Sequence, residues 1–540
     1  MIQDKGHKTK DFSKVIITRN IKIISNRFIY LLSFILCLLS GSLKSQFYNL
    51  PNDYFFSTFL QRNLARLDSE QMHSSIQPYI PFFNKKYESV GDTHRVFKYI
   101  TDDLFLDKVF FDHLIHIKPT SGKYEFKVDP IVNFELTGAD YDTTSSQRLT
   151  TNTRGFIGSG TIGKDFYFET LFSENQSRFP HYISNFNKQT KVVPGQGRHK
   201  VFKVTGYDYA FSSGFISYQP IKQLNIQVGH GKQKIGNGYR SLLLSDNAFN
   251  YPYLRITSQW FKGKLQYTNL YAVLMNLTTG GAPTPKYTEP LFQKKAASFQ
   301  YLSLNVNKRI NLGLFQGMIW NSADSTNRQN FEWQYFNPII FTNLPFYGLS
   351  NKNNIVLGLT ANFKVNSKIS IYGQFMADDF SNTFALGNSF GYQLGVKYFD
   401  AFKLKNLMLQ AEVNSVTEGS YNSPFGTDNN QSFSHYNQNL AFTPGYGNEL
   451  VLLGDFKFKR AFLNAKLNLQ SLTVNNYEFY QNTITRLQIG YTINPAYNFN
   501  VSLGYTYRYQ DFLGFNASNN KTTLVSVSLK TNLYNTYYDF

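Results

Sequence analysis

From about residue 121 onward the chain alternates apolar and polar residues with a period of two. In 499–510, Phe499, Val501, Leu503, Tyr505, Tyr507 and Tyr509 face one way. Asn500, Ser502, Gly504, Thr506, Arg508 and Gln510 face the other. The same alternation recurs in 461–470, 407–414 and 355–365, where runs such as Leu407, Leu409, Ala411 and Val413 interleave with Met408, Gln410, Glu412 and Asn414. Successive side chains on a strand point to opposite faces, so each segment has one apolar and one polar face. Segments of ~10 residues match the length of a tilted membrane-crossing strand. The pattern predicts 18 strands, near 124–137, 152–160, 164–173, 212–219, 224–231, 253–260, 264–275, 297–307, 310–320, 354–365, 368–378, 389–399, 407–416, 449–459, 461–473, 483–493, 498–509 and 521–539.

The connections then alternate in length. Segments 138–151, 174–211, 232–252, 276–296, 321–353, 379–388, 417–448, 474–482 and 510–520 are long, whereas 161–163, 220–223, 261–263, 308–309, 366–367, 460 and 494–497 are short. A bacterial outer-membrane barrel has short periplasmic turns, long outer loops and an even number of strands. A secreted β-sandwich has no reason to sort its loops in this way, and no internal repeat suggests a propeller. The expected fold is an all-β transmembrane antiparallel β-barrel of about 18 strands, spanning 121–540. The final strand carries Val525, Val527 and Leu529, and Tyr537-Tyr538-Asp539-Phe540 follow them. An aromatic-ended closing strand is similar to the signal by which such barrels are recognised for assembly.

The first 120 residues read differently. Residues 28–43 form a short apolar run behind Lys22 and Arg27, with small and polar residues after it, so 1–46 reads as a signal peptide cleaved near Ser45/Gln46. Its apolar core of about 13 residues is short of the ~20 a spanning helix needs. The long stretch before Arg27 leaves a later start codon open. Residues 47–120 read as a small helical segment that lies in the periplasm or plugs the inner mouth. Asp53 is a candidate helix cap, and Phe55, Phe56, Phe59, Leu60, Leu64 and Leu67 follow at near-helical spacing. A second helix is expected over 102–115.

Composition sharpens this picture in three ways. Aromatic residues make up 17% of the chain although hydrophobic residues reach only 42%. That combination suits aromatics shown to lipid around a polar lumen. The single cysteine, Cys37, lies in the signal segment, so the exported chain would have no disulfide, thiolate metal site or cysteine nucleophile. The formal charge is +19, and +13 after removal of 1–46. Such a charge can attract nucleic acid, but with an exported barrel it points to acidic glycans and anionic headgroups, and no nucleic-acid partner is expected.

Candidate chemistry centres on one stretch, Gly229 to Asp246. It holds four glycines within ten residues beside His230, Lys232, Lys234, Tyr239, Arg240 and Asp246. No Gly-Lys-Ser/Thr follows at phosphate-loop spacing. Glycines let backbone approach a wall or ligand closely. The stretch reads either as a strained turn without a ligand or as a lumenal loop contacting an anion or sugar. Arg forks and aromatic faces are usual equipment for acidic glycans. On the second reading Lys232, Lys234, Tyr239, Arg240 and Asp246 are the ligand-binding candidates. Catalytic constellations are absent. His73-Ser74 precedes the barrel, and His230 has no defensible Ser or acid partner. His113 and His116, three apart, permit a metal pair on a helix but read as solvated or packing residues. No cofactor, metal site or enzymatic activity is expected.

The order Asp129-Pro130, Asn152-Thr153-Arg154-Gly155, Val193-Pro194-Gly195, Asp208-Tyr209 and Gly236-Asn237-Gly238-Tyr239-Arg240-Ser241-Leu242-Leu243-Leu244-Ser245-Asp246 resembles the Wzi-type capsule assembly family. The segment Asp68 to Ile76 and the Asn-, Lys- and Tyr-rich composition resemble its gliding-motility (RemB-type) members in Bacteroidetes. The resemblance covers nearly the whole exported chain. It implies an 18-stranded barrel with an N-terminal helical element on the periplasmic side. It also implies a non-enzymatic surface role in gliding motility, in capsule assembly, or in binding exported polysaccharide. Expected partners are outer-membrane lipid, surface polysaccharide and motility or secretion proteins. A plain solute-conducting pore is the alternative.

Overall fold

The computed structural model describes residues 53–66, 73–79, 108–140, 148–279, 292–321, 336–342, 353–378, 389–422, 431–475, 478–513, 518–531 and 534–540. The expected signal segment 1–46 lies outside them, as do residues 102–107 of the second expected helix.

Eighteen antiparallel strands close into a barrel. In chain order they are β1 (Tyr124–Asp140), β2 (Leu149–Ile162), β3 (Phe166–Arg178), β4 (Gly206–Ile221), β5 (Leu224–Gly231) and β6 (Tyr251–Trp260). Next come β7 (Leu265–Thr279), β8 (Phe292–Asn305), β9 (Ile310–Asn321), β10 (Asn354–Lys364), β11 (Ile369–Asp378) and β12 (Phe390–Phe399). The last six are β13 (Leu407–Val416), β14 (Gly447–Phe458), β15 (Ala461–Asn475), β16 (Glu478–Asn494), β17 (Phe499–Leu513) and β18 (Ser518–Thr531). Each strand pairs with its sequence neighbour, and β18 closes the barrel on β1 over Thr523↔Asp140 to Lys530↔Asn133. All 18 expected strands are present, including those near 152–160, 212–219 and 253–260, where the alternation is faintest.

The period-two pattern sorts outside from inside. On β12, Tyr392, Leu394 and Val396 are exposed on the outer surface, while Gln393 and Lys397 are buried inside. On β17, Val501, Leu503 and Tyr505 point out, and Ser502 and Arg508 point in. A closed barrel leaves no unpaired edge, so such an apolar exterior can meet hydrocarbon without orphaned backbone groups. Among the described residues no helix is long and apolar enough to cross a membrane.

Four expectations are corrected. The last strand ends at Thr531 rather than 539, because Tyr534, Tyr537, Tyr538 and Phe540 find aromatic partners within the barrel and leave the ladder. The expected loops 474–482 and 510–520 are mostly strand, since β15 to β18 extend through polar residues that continue the hydrogen-bonded ladder. Of the helix expected over 102–115, residues 108–110 are helical, but Ile115–Ile117 pairs with Phe126–Val128 of β1 as a strand. The long connection after β3 contains a helix, α2 (His181–Thr190), which Lys191 ends in a left-handed conformation at φ +65°.

The N-terminal helix α1 (Tyr54–Ala65) lies at the short-turn end. Its Arg62 bridges Asp400 in the β12–β13 turn at 2.9 Å, and its Gln61 accepts from Lys397 of β12 at 2.6 Å. Residues 73–79 continue into the barrel. His73 Nδ1 lies 2.7 Å from Ser303 Oγ, and Ile76–Gln77 pairs with Lys234–Ile235.

Candidate functional site: a plugged lumen beneath a vestibule

The connection 232–250 leaves the long-loop end of β5 and folds into the lumen. It crosses to the opposite wall. Ile235 N donates to Leu244 O at 2.8 Å, closing the loop on itself. Ser241 Oγ accepts from the amides of Leu243 and Leu244 at 3.1 and 3.2 Å, fixing the turn. Leu242, Leu243 and Leu244 are fully buried against Phe299 and Phe315 (β8, β9), Val356 (β10), Met376 (β11) and Phe433 and Phe442 from the loop after β13. Glycine is required at two points here. A Cβ on Gly238 would meet Glu412 Oε2 at 2.5 Å, and one on Gly358 of β10 would meet Leu243 at 2.2 Å.

The five candidate binding residues all belong to this plug. Arg240 is 1% exposed and forks onto Glu449 of β14, Nε to Oε2 at 2.9 Å and Nη2 to Oε1 at 2.7 Å. Its Nη2 also reaches Asp539 Oδ2 at 2.8 Å. Burial opposes the guanidinium's charge, but Glu449 and Asp539 outweigh it and hold the pKa well above its ordinary value. The amides of Tyr239 and Arg240 donate to the Glu412 carboxylate of β13 at 2.7 and 3.0 Å. Tyr239 donates its hydroxyl to Asp539 at 2.9 Å. Lys234 donates to the carbonyls of Gly238 and Tyr239, both at 3.0 Å, and burial pushes its pKa down. Lys232 donates to Gly195 O at 2.8 Å; burial pushes it down to about 8 although Asp246 pulls the other way. Asp246 accepts from Tyr537 Oη at 2.7 Å and Asn535 Nδ2 at 2.8 Å. The sequence motif is therefore a charged lock between the loop, the β13–β14 wall and residues 534–540.

Other candidates are placed elsewhere. His113 Nδ1 meets Asp129 Oδ2 at 2.6 Å, and His116 Nε2 meets Glu125 at 2.9 Å, so the two rings take separate carboxylates. Among the described residues no group of three or more His, Cys, Asp or Glu is arranged to hold a metal. His230 Nδ1 lies 3.2 Å from Ser212 O, a backbone partner and not a nucleophile.

Above the plug, at the long-loop end, a vestibule of about 900 Å³ opens. Tyr182, Asn185, Phe186 and Gln189 line it from α2, at the i, i+3, i+4, i+7 spacing of one helix face. Ile183 and Asn187, on another face, are buried and anchor the helix. Tyr480, Arg508, Gln510 and Lys521 line it from β16 to β18, and Asn437, Gln438 and Asn439 from the loop after β13. Phe540 packs against Phe186 at 4.8 Å, and Arg508 lies 4.7 Å above the Tyr182 ring. No acidic side chain lines this space among the described residues. None of the five motif residues lines it either. Period-two alternation marks 174–211 only as a long connection and is blind to α2; the helical spacing of Tyr182, Asn185, Phe186 and Gln189 is the signal that would find it.

No family model matches the chain, and no curated protein matches it. Among solved structures, the fold is similar to Wzi of Escherichia coli, described as an outer-membrane protein involved in group 1 capsule assembly and a carbohydrate-binding β-barrel. That likeness has a TM-score of 0.55 at 11% identity, and covers 91% of this chain and 100% of that one. OccAB2 of Acinetobacter baumannii and OpdK of Pseudomonas aeruginosa with vanillate each match at a TM-score of 0.43 and 12% identity over 75% of this chain, and over 97% and 98% of theirs. At these identities the likeness is one of fold, and the chain is a closed 18-stranded barrel of the architecture seen in Wzi.

Proposed function

We propose that this protein is a non-enzymatic outer-membrane barrel that binds exported, acidic polysaccharide at the cell surface through the vestibule above its plug. One observation carries the reading. The vestibule is lined by amides, aromatic rings, Arg508 and Lys521, and no Asp or Glu is among its described lining residues. Saccharides are recognised by aromatic faces and by amide hydrogen bonds, and uronate or sulfate groups by guanidinium and ammonium groups. The carbohydrate-binding description of Wzi and the sequence resemblance at Gly236–Asp246 support the same assignment. The five motif residues serve it from below, as the framework that fixes the vestibule's floor. Export by the segment 1–46 and service in gliding motility or capsule organisation are part of the proposal, the motility role resting on the sequence resemblance alone.

The test is titration of the purified, detergent-solubilised barrel with defined uronate-containing oligosaccharides. Tyr182→Ala and Lys521→Ala should each weaken binding by about tenfold, consistent with ~1–2 kcal/mol for a stacking or charge contact. Raising salt should weaken binding in wild type and less so in Lys521→Ala. Unchanged affinity in both variants would refute the vestibule as the binding surface.

A further inference from the structure

The lumen is filled unevenly. On the β6–β13 side the three leucines of the plug and the aromatic residues around them form a continuous apolar core. On the β14–β18 side two polar spaces lie one above the other along the same wall. The vestibule occupies the long-loop half. A chamber of about 210 Å³ occupies the short-turn half, where the cations Lys466, Arg486 and Lys530 outnumber the two lining carboxylates, Asp53 and Asp455. Tyr537 lines both spaces, so the segment 537–540 is the partition between them.

That partition sits on cations. Lys466 and Arg486 are direct cross-strand partners on β15 and β16. Arg508 of β17 faces Ile484, one inward-facing step nearer the vestibule than Arg486. Each donates to a different residue of the segment: Lys466 to Asp539 Oδ1 at 3.2 Å, Arg486 to Tyr538 O at 2.6 Å, and Arg508 to Phe540 O at 2.9 Å. Arg486 also keeps a buried Nε without an acceptor among the described residues. A rising series of cations is thus occupied by oxygens of the chain itself, in the way an anionic solute would occupy it.

Apart from these contacts, side chains alone hold the segment: Gln470 Nε2 donates to Asp539 O at 2.9 Å, Tyr538 packs on Phe179, and Tyr537 packs on Tyr239 under the Arg240 guanidinium. Phe540 packs on α2, Tyr537 donates to Asp246, and Asp539 lies in the Arg240–Tyr239 lock. Among the described residues no ladder hydrogen bond holds it to a strand.

We propose that residues 537–540 are a displaceable stopper on an anion-selective conduit running along the β14–β18 wall, and that the barrel conducts anions when they leave their seat. The conduit is separate from saccharide binding in the vestibule and does not depend on it. When the stopper is out, Lys466, Arg486 and Arg508 are left facing a continuous space between the two cavities. Small anions are then favoured by the local potential, and potassium is disfavoured.

The test is single-channel recording of the full-length protein in planar bilayers, in symmetric potassium chloride and then across a gradient. Wild type should be closed most of the time. Tyr537→Phe removes the hydrogen bond to Asp246, and Asp539→Asn removes the charge held by Lys466 and Arg240 together with one of the two oxygens that accept from Lys466, Arg240 and Tyr239. Each should raise the open probability by about tenfold, the equivalent of one buried hydrogen bond. The openings should reverse toward the chloride potential. Arg508→Gln added to Asp539→Asn should keep the openings and reduce the chloride preference. Because both single changes are nearly isosteric, retention of heat-modifiable gel migration verifies the barrel in each. Variants that migrate as wild type and stay closed overturn the stopper. Openings that select cations, or whose selectivity ignores Arg508→Gln, overturn the conduit.

Discussion

Replacing Arg240 with alanine removes a buried guanidinium whose Nε and Nη2 hold both oxygens of Glu449 and one of Asp539. The two carboxylates are then stranded unequally. Asp539 retains Lys466 at 3.2 Å and the Tyr239 hydroxyl at 2.9 Å. Glu449 retains only amides, Asn468 at 3.0 Å and Gln470 at 2.8 Å with Asn414 at 3.4 Å, and loses its described cation. Breaking a buried ion pair from one side costs about 3–5 kcal/mol, because the remaining charge keeps its desolvation penalty. Two good amide donors offset part of that, so the expected loss is near the lower bound, about 3 kcal/mol. It falls on the plug and not on the strand ladder. The assay is therefore hydrogen exchange over 234–246 with the far-ultraviolet dichroism of the barrel as control. Exchange should accelerate by about a hundredfold, as ~3 kcal/mol of lost protection dictates, while the dichroism stays unchanged. Adding Glu449→Gln should recover roughly 1–2 kcal/mol by removing the stranded charge. A single variant that costs under about 1 kcal/mol, or a double variant no better than the single, refutes the lock.

Three other outcomes follow from the plug's packing. His73 has its pKa lowered to about 4 and His435 to about 3, burial being the first cause in both. Because the folded state holds both imidazoles neutral, the unfolded segments take up protons first. Stability is complete above the unfolded pKa of ~6.5 and declines as pH falls toward 4, by about 3 kcal/mol for His73. Proteolysis of 73–79 should rise across that window, and His73→Gln should flatten the rise; an unchanged profile excludes the imidazole as the cause. Leu243→Ala should destabilise the plug by about 2–5 kcal/mol, as a cavity at a fully buried site requires, measured by guanidinium titration of loop proteolysis. Gly238→Ala should cost about 1–3 kcal/mol by displacing Glu412, whereas an added methyl that leaves hydrogen exchange at the amides of Tyr239 and Arg240 unchanged would contradict the close approach.

The barrel was legible in the sequence because its signal is local. Each strand needs only its own alternation, and Tyr392, Leu394 and Val396 reveal their face without reference to any partner. The interior was not legible in this way. Arg240 reads as an exposed ligand fork until Glu449 and Asp539, 209 and 299 residues away, are brought beside it. The glycines of 236–238 announced close approach, but not that the approach was to Glu412 and Gln374 of the opposite wall. The last strand was overextended for the reverse reason. Tyr534, Tyr537, Tyr538 and Phe540 have high strand propensity, and only their lumenal partners draw them inward.

The loop that crosses the lumen also constrains the order of assembly. Its contacts join residue 240 to residues 412, 449 and 539, and Tyr54 N bonds to Asn535 across 481 positions of sequence. None of these can form until β13, β14 and the segment after β18 exist. Contacts so distant in sequence carry the loop-closure entropy of most of the chain and form late. Strand pairing can proceed neighbour by neighbour, but the interior sets only after the final residues have arrived. A chain halted at β12 would therefore hold a growing sheet with Leu242, Leu243 and Leu244 still uncovered on their far side. The interior is completed only when the last strand and the segment after it are in place.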